Sequence, residues 1–231
     1  MEHKEEHKSE LELDHTLIET THKVEVFYHK YKKQINMAVI AVVVIALGYI
    51  AFTKFYLAPK EKEAQAAMFQ AQNWFEKDSF DLALNGQGDV MGFVALGDEY
   101  GLTKAGNLAH YYAGVCFMRK GEFQNAVDQL DKFSTENELV GPLAIGLKGD
   151  AYVELKDIEK GAKLYMKAAG MSKNKLTSPI FLKKAGMAYE ELKEYDDAVS
   201  AYNKLKLEYS EAQEAQDIDK YIARATAAKA N

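Results

Sequence analysis

The sequence predicts an all-α protein: a single transmembrane helix near the N-terminus, then a solenoid of helical hairpins ending in a C-terminal capping helix. Three observations predict it. Prolines number only 3 in 231 residues, while the good helix formers Ala, Leu, Lys and Glu are abundant. No charged residue stands between Lys33 and Lys54. Behind that stretch, one pattern of glycine, aromatic and small residues returns three times at a spacing of about 34–37 residues. The net charge of -6 argues against a nucleic-acid protein, which needs a basic stripe to neutralise phosphates. The one cysteine, Cys116, excludes an intramolecular disulfide and any multi-cysteine zinc site.

Residues 1–34 form a short charged segment carrying five of the six histidines. Leu13, Leu17, Val24, Phe27 and Tyr31 recur at helical spacing and run into Ile35, so the helix is expected to continue into the apolar stretch. His15, His22 and His29 share one helical face, but seven residues are two turns, ~10 Å, too far for neighbours to share a metal ion. A solvated polar face is the simpler reading. His3 and His7 have the better i, i+4 spacing, in a terminus expected to fray.

From Ile35 to Thr53 the chain supplies the ~20 apolar residues that cross ~30 Å of hydrocarbon as a helix. A soluble helix apolar all round would need a larger core than this chain can build. A cleavable signal has an apolar region of ~7–15 residues close to the N-terminus and a small-residue cleavage site. Here a long polar segment comes first, and Tyr56 stands where a small residue would be wanted. The expectation is an uncleaved span over 35–57, with Phe27, Tyr28 and Tyr31 at one interface and Phe52, Phe55 and Tyr56 at the other. Lys23, Lys30, Lys32 and Lys33 upstream nearly balance Lys54, Lys60 and Lys62 downstream. Charge alone leaves the orientation open, with a slight bias toward a cytoplasmic N-terminus.

Three segments then align without gaps: "HYYAGVCFMRKGEFQNAVDQLDKF" from His110, "IGLKGDAYVELKDIEKGAKLYMKA" from Ile145 and "LKKAGMAYEELKEYDDAVSAYNKL" from Leu182. In each, a glycine is followed by an aromatic three residues on: Gly114/Phe117, Gly149/Tyr152 and Gly186/Tyr189. Then come Phe123, Ile158 or Tyr195, a small residue (Ala126, Gly161 or Ala198), and Leu130, Tyr165 or Tyr202. This is the tetratricopeptide (TPR) pattern. Small residues let two antiparallel helices approach, aromatics fill the gaps, and the units must stack because none buries its apolar face alone. Pro142 and Pro179 fall at the starts of first helices, and Ser178 is expected to cap one.

Upstream, "AAMFQAQNWFEKDSFDLALNG" reads as a degenerate unit with Ala71, Trp74, Phe80 and Ala83 in the corresponding places. The glycine-spotted "NGQGDVMGFVALGDEYG" reads as a loop and a short helix that lengthen it. "QDIDKYIARATAA", with Ile218, Tyr221 and Ile222, reads as the capping helix. The domain thus covers 60–231, with units at about 60–100, 104–137, 142–172 and 179–210 and the cap at 212–229.

No phosphate loop or nucleophile motif is present, and His110 is the only histidine beyond the apolar stretch, so no enzyme, cofactor or metal site is expected. Binding is the alternative. First helices of stacked repeats line the concave face. Partner-facing positions counted from the alignment are Leu108, Tyr111, Val115 and Met118, then Leu143, Asp150 and Val153, then Ile180, Lys183, Met187 and Glu190. Such a face suits an extended or helical apolar segment. About half of these positions are expected to be exposed, the rest packing between repeats.

The order of short segment, anchor and repeat domain resembles the YfgM-type ancillary subunits of the bacterial Sec translocon, in a version like that of the Bacteroidetes. "VEVFYHKYKKQ" and "EYGLTKAGNLAHYYAGVCFMRKGEFQNAVDQL" carry the likeness, with "VGPLAIGLKGDAYVEL" and "DIDKYIARA". The resemblance implies a single-pass inner-membrane protein with a cytoplasmic N-terminus and periplasmic repeats. Its implied partners are Sec translocon subunits, a membrane-anchored chaperone of the peptidyl-prolyl isomerase type, and nascent secreted proteins. It implies no catalytic residues. A scaffold for another envelope complex, in outer-membrane assembly, division or secretion, is the alternative.

Overall fold

The structure, a computed structural model, describes residues 28–230. The helical expectation for Leu13, Leu17, Val24 and Phe27, and the histidines at 3, 7, 15 and 22, lie outside those residues. The chain divides after Ala58 into an apolar helical unit and a repeat unit beginning at Pro59.

In the first unit, α1 (28–51) leads into a π-helical turn, Phe52–Leu57. The helical stretch Tyr28–Glu76 holds an apolar run long enough to cross a membrane, and that run is buried against no other part of the described protein. Ile45 is 71% exposed there. A run of Val and Ile with no packing partner is what a lipid-facing helix requires. Near its end Phe52 and Tyr56 stack at 5.2 Å, and Thr53 Oγ1 donates back to the Tyr49 and Ile50 carbonyls.

The second unit is a series of helical hairpins. α2 (Ala58–Glu76), α3 (Phe80–Asn85) and α4 (Phe93–Tyr100) make the first. Three regular hairpins follow: α5 (Lys104–Lys120) with α6 (Phe123–Lys132), α7 (Val140–Glu154) with α8 (Ile158–Ser172), and α9 (Ser178–Glu191) with α10 (Tyr195–Glu208). A 3-10 turn, Gln213–Ala215, precedes α11 (Ile218–Lys229). Each second helix also packs on the first helix of the next hairpin: α6 on α7, α8 on α9, α10 on α11. That shared packing buries faces that no hairpin covers alone.

The repeat positions explain the close helix pairing. A Cβ on Gly114 would lie 2.6 Å from Leu130, one on Gly149 2.7 Å from Tyr165, and one on Gly186 would run into Tyr202. Each glycine therefore receives the large side chain of its own unit's second helix. Gly161 brings backbone to backbone: its Cβ would sit 3.1 Å from the Gly149 carbonyl oxygen. The turns between paired helices pass through the left-handed region at Asp78, Gly121, Lys156 and Lys193.

The degenerate first hairpin departs from the expected loop. Its second helix is split by a two-stranded antiparallel ladder, β1 (Gly86–Gln87) and β2 (Val90–Met91), which pairs Gly86 with Met91 and Gln87 with Val90. α4 then packs on α5 as α6 does on α7. Ala71 and Ala83 are fully buried, with Trp74 and Phe80 packed beside them.

Ser178 is not the cap expected of it. It lies one residue inside α9, buried, and its hydroxyl donates to the Ala169 carbonyl at 2.9 Å. Asn174 organises this helix start instead, accepting the N–H groups of Leu176 (2.9 Å) and Thr177 (2.7 Å). At the C-terminus, Ile218 and Ala225 of α11 are buried, and Tyr221 and Ile222 pack against the same core.

Candidate interaction groove

The first helices α5, α7 and α9 present one face each to a common groove of about 440 Å³. α5 contributes Tyr111, Val115, Met118 and Arg119; α7 contributes Leu143, Leu147 and Asp150; α9 contributes Ile180, Phe181 and Lys184. The i, i+4, i+7 spacing within α5 and α7 puts each set on one helical stripe. Backbone approach sets the depth. Gly146 leaves room for the Phe181 ring, which a Cβ there would strike. Phe181 also stacks on Tyr165 of α8, with centroids 6.3 Å apart.

The polar groups on the groove wall are mostly committed to the fold. Asp150 receives both Lys184 (2.7 and 2.8 Å) and the Tyr165 hydroxyl (2.6 Å), tying three helices together. Burial, then the hydrogen bond to Asp150 and its charge, push the Tyr165 phenol well above its ordinary value, so it stays a donor. Tyr111 is also raised, by burial first and then by Tyr112, and it meets Phe133 at 5.3 Å. Arg119 is exposed and pairs with no carboxylate among the described residues. The groove thus offers an aliphatic and aromatic floor beside one uncommitted guanidinium.

Of the residues expected to face a partner, Tyr111, Val115, Met118, Leu143, Asp150 and Ile180 come together here. The others do not. Leu108 packs into the core of the first hairpin. Val153 packs against the second core, where its side chain fills the space beside Gly161. Met187 is 49% exposed but lies outside the groove lining. Glu190 accepts Arg224 Nε at 2.8 Å, and Lys183 lies over the Tyr221 ring at 4.9 Å. Both partners belong to α11, the element that follows α10, so the cap occupies these α9 positions. The middle unit has the same arrangement, since Gly146, the counterpart of Lys183, packs against Phe181 of the following first helix. Arg119, Leu147, Phe181 and Lys184 were missed; carrying Leu143 on by one helical turn would have found Leu147.

The remaining candidates for chemistry are packed. His110 is 5% exposed, its Nδ1 lies 2.8 Å from Gln129 Oε1, and its ring fills the space beside Gly97. Cys116 is buried, and burial pushes its thiol up to about 12. Among the described residues, no three His, Cys, Asp or Glu side chains gather as a metal site.

Comparison with known proteins agrees with this geometry. Tetratricopeptide repeat families match residues 144–175 and 184–212. No curated protein sequence matches the chain significantly. Among solved structures, the nearly identical TPR-like repeats of a candidate kinesin light chain from Podosopora anserina superpose with a TM-score of 0.54 at 12% identity, covering 74% of this chain and 88% of that one. A point variant of the same repeats gives the same score and coverage at 13% identity. MamA gives a TM-score of 0.47 at 17% identity, over 69% of this chain and 94% of its own. Residues 144–175 and 184–212 therefore carry tetratricopeptide repeats, which indicate a scaffold for protein–protein interaction, and the unit beginning at Pro59 shares the fold of stacked helical hairpins with the TPR-like repeats.

Proposed function

We propose that this protein is a non-enzymatic, membrane-anchored adaptor of the Sec translocon. Its groove on α5, α7 and α9 holds an apolar segment of a periplasmic chaperone or of an emerging secreted protein. The observation that carries the binding part is the groove itself: apolar side chains from three successive units beside an uncommitted Arg119. Its volume lies within the roughly 300–1,000 Å³ typical of ligand sites. The anchor reading is supported by the exposed apolar helix. The translocon and periplasmic readings are supported by the likeness to YfgM-type subunits.

A photo-crosslinking residue at Tyr111 or Met118 in cells, followed by mass spectrometry, tests the partner. The expected products are translocon subunits and a peptidyl-prolyl isomerase-type chaperone. A fixed set of outer-membrane assembly, division or secretion-machine proteins would replace this reading with the envelope scaffold. A reporter enzyme active only outside the cytoplasm, fused after Asn231, is expected to work. Activity of a cytoplasm-only reporter at the same position would reverse the orientation.

A further inference from the structure

The loops that lead from one hairpin into the next lie along a single edge of the repeat unit, and hydrogen bonds trace that edge. In the first turn of α2, Glu61 Oε2 accepts the backbone N–H groups of Lys104 (2.6 Å) and Ala105 (3.4 Å) at the start of α5. Asn107, one turn into α5, donates to the Ser134 carbonyl (2.8 Å) and accepts the Ser134 N–H (3.0 Å) in the α6–α7 loop. Asn174 in the α8–α9 loop donates to the Glu138 carbonyl in the α6–α7 loop at 2.9 Å. Lys175 beside it pairs with Glu211, beyond α10, at 3.8 Å. The repeat unit therefore begins, at Pro59, on the edge that these loops form.

On that edge stand Leu102, Leu139 and Leu176, at intervals of 37 residues. They are 75%, 44% and 67% exposed. Each lies just ahead of a first helix, so the solenoid repeats one exposed leucine per unit. A single exposed leucine is ordinary; here one stands at the same place ahead of the first helix in three successive units. Helix capping does not use their side chains. Thr103, Asn137 and Asn174 supply the oxygens that accept the N–H groups at the starts of α5, α7 and α9. The opposite edge, where first helices turn into second ones, instead carries Lys77, Lys120, Lys156 and Lys193, with Leu155 as its exposed apolar residue.

We propose that the leucine edge rests on the lipid bilayer, with Leu102, Leu139 and Leu176 at the boundary between headgroups and acyl chains. This rests on the reading of residues 35–57 as a membrane anchor. Connectivity then places Pro59, which stands on this edge, next to the end of the anchor, whichever side the domain occupies. The leucines gain by leaving water. Lys104 at the start of α5, with Lys173 and the Glu211-paired Lys175 in the α8–α9 loop, suits headgroup phosphates, whereas Glu136 and Glu138 accompany Leu139, the least exposed of the three. Because first helices start on this edge, Tyr111, Leu143 and Ile180 form the membrane-near end of the groove.

The test uses the full chain, one copy per nanodisc, in phosphatidylethanolamine and phosphatidylglycerol. Leu102→Cys and Leu176→Cys each carry an environment-sensitive fluorophore; the native Cys116 is buried and stays unlabelled in the folded protein. Ile45→Cys and Lys193→Cys serve as references in the apolar helix and on the opposite edge. Labels at 102 and 176 are expected to shift to the blue and to lose emission to lipids spin-labelled near the headgroup, while the label at 193 stays water-like. Water-like, unquenched labels at 102 and 176 with quenching at 45 would overturn the edge contact and leave the anchor intact. A blue shift without lipid quenching would mean that protein covers the edge, and would overturn it equally. No quenching at 45 would remove the anchor itself, and the proposal with it.

Discussion

Gly186 and Gly170 look alike in the sequence, both glycines within helices, yet they oppose each other energetically. A Cβ at Gly186 meets the buried Tyr202 ring, whereas at Gly170 it meets nothing within 4 Å. Gly186→Ala is expected to cost about 1–3 kcal/mol by overpacking, and Gly170→Ala to add up to about 1 kcal/mol by helix propensity. Urea unfolding of the two variants measures both. The repeat pattern showed that Gly186 is small for a reason; the ring that demands it became visible only with the paired helix in place. Cys116 is expected to react with thiol reagents slowly when folded and quickly in denaturant, because burial raises its pKa to about 12. Tyr165 and Tyr202 are raised above their ordinary values, both by burial first, then by the carboxylates of Asp150 and Glu190 respectively. A raised folded pKa favours the protonated native state, so this stability is complete below the unfolded value of about 10 and is lost as pH climbs past it. Alkaline unfolding is expected to soften in Tyr165→Phe if the Phe variant folds comparably at neutral pH; near-ultraviolet circular dichroism against pH reads it.

Among the helices and their connections, the cap shows best what a linear pattern conceals. α11 was recognisable by its apolar residues Ile218, Tyr221 and Ile222. That it would engage Glu190 and Lys183 was not, because the corresponding positions of the first regular unit, Met118 and Tyr111, line the groove. Glu190 has a side chain only 15% exposed, held by Arg224, whereas Lys175 and Glu211 form a pair 84% and 89% exposed. Arg224→Ala is expected to cost about 1–3 kcal/mol by leaving a largely buried carboxylate short of its partner. Lys175→Ala is expected to cost about 0–1 kcal/mol. Thermal melts of the two variants give the comparison. The split second helix of the first hairpin was legible only as a glycine-rich interruption. Its two-residue ladder depends on backbone pairing between Gly86 and Met91, which no hydrophobic period encodes.

For the molecule as a whole, the apolar span and the hairpin repeats could be read from the residues because both are periodic features of the chain. The groove could be read only in part, since its lining comes together from three units that a linear pattern reads one at a time. Its floor has a mechanical consequence. Phe181 belongs at once to the groove lining and to the joint between the second and third regular hairpins, where the absent side chain of Gly146 lets it seat. Gly146→Ala is expected to wedge α9 away from α7 and enlarge the radius of gyration measured by X-ray scattering; an unchanged radius would separate the ring from the curvature. One ring thus serves as both floor and joint, so whatever displaces Phe181 acts on the groove and on the contact between α7 and α9 together. By linkage, a partner that binds better at one spacing of α7 and α9 than at another is held more or less tightly as that spacing changes.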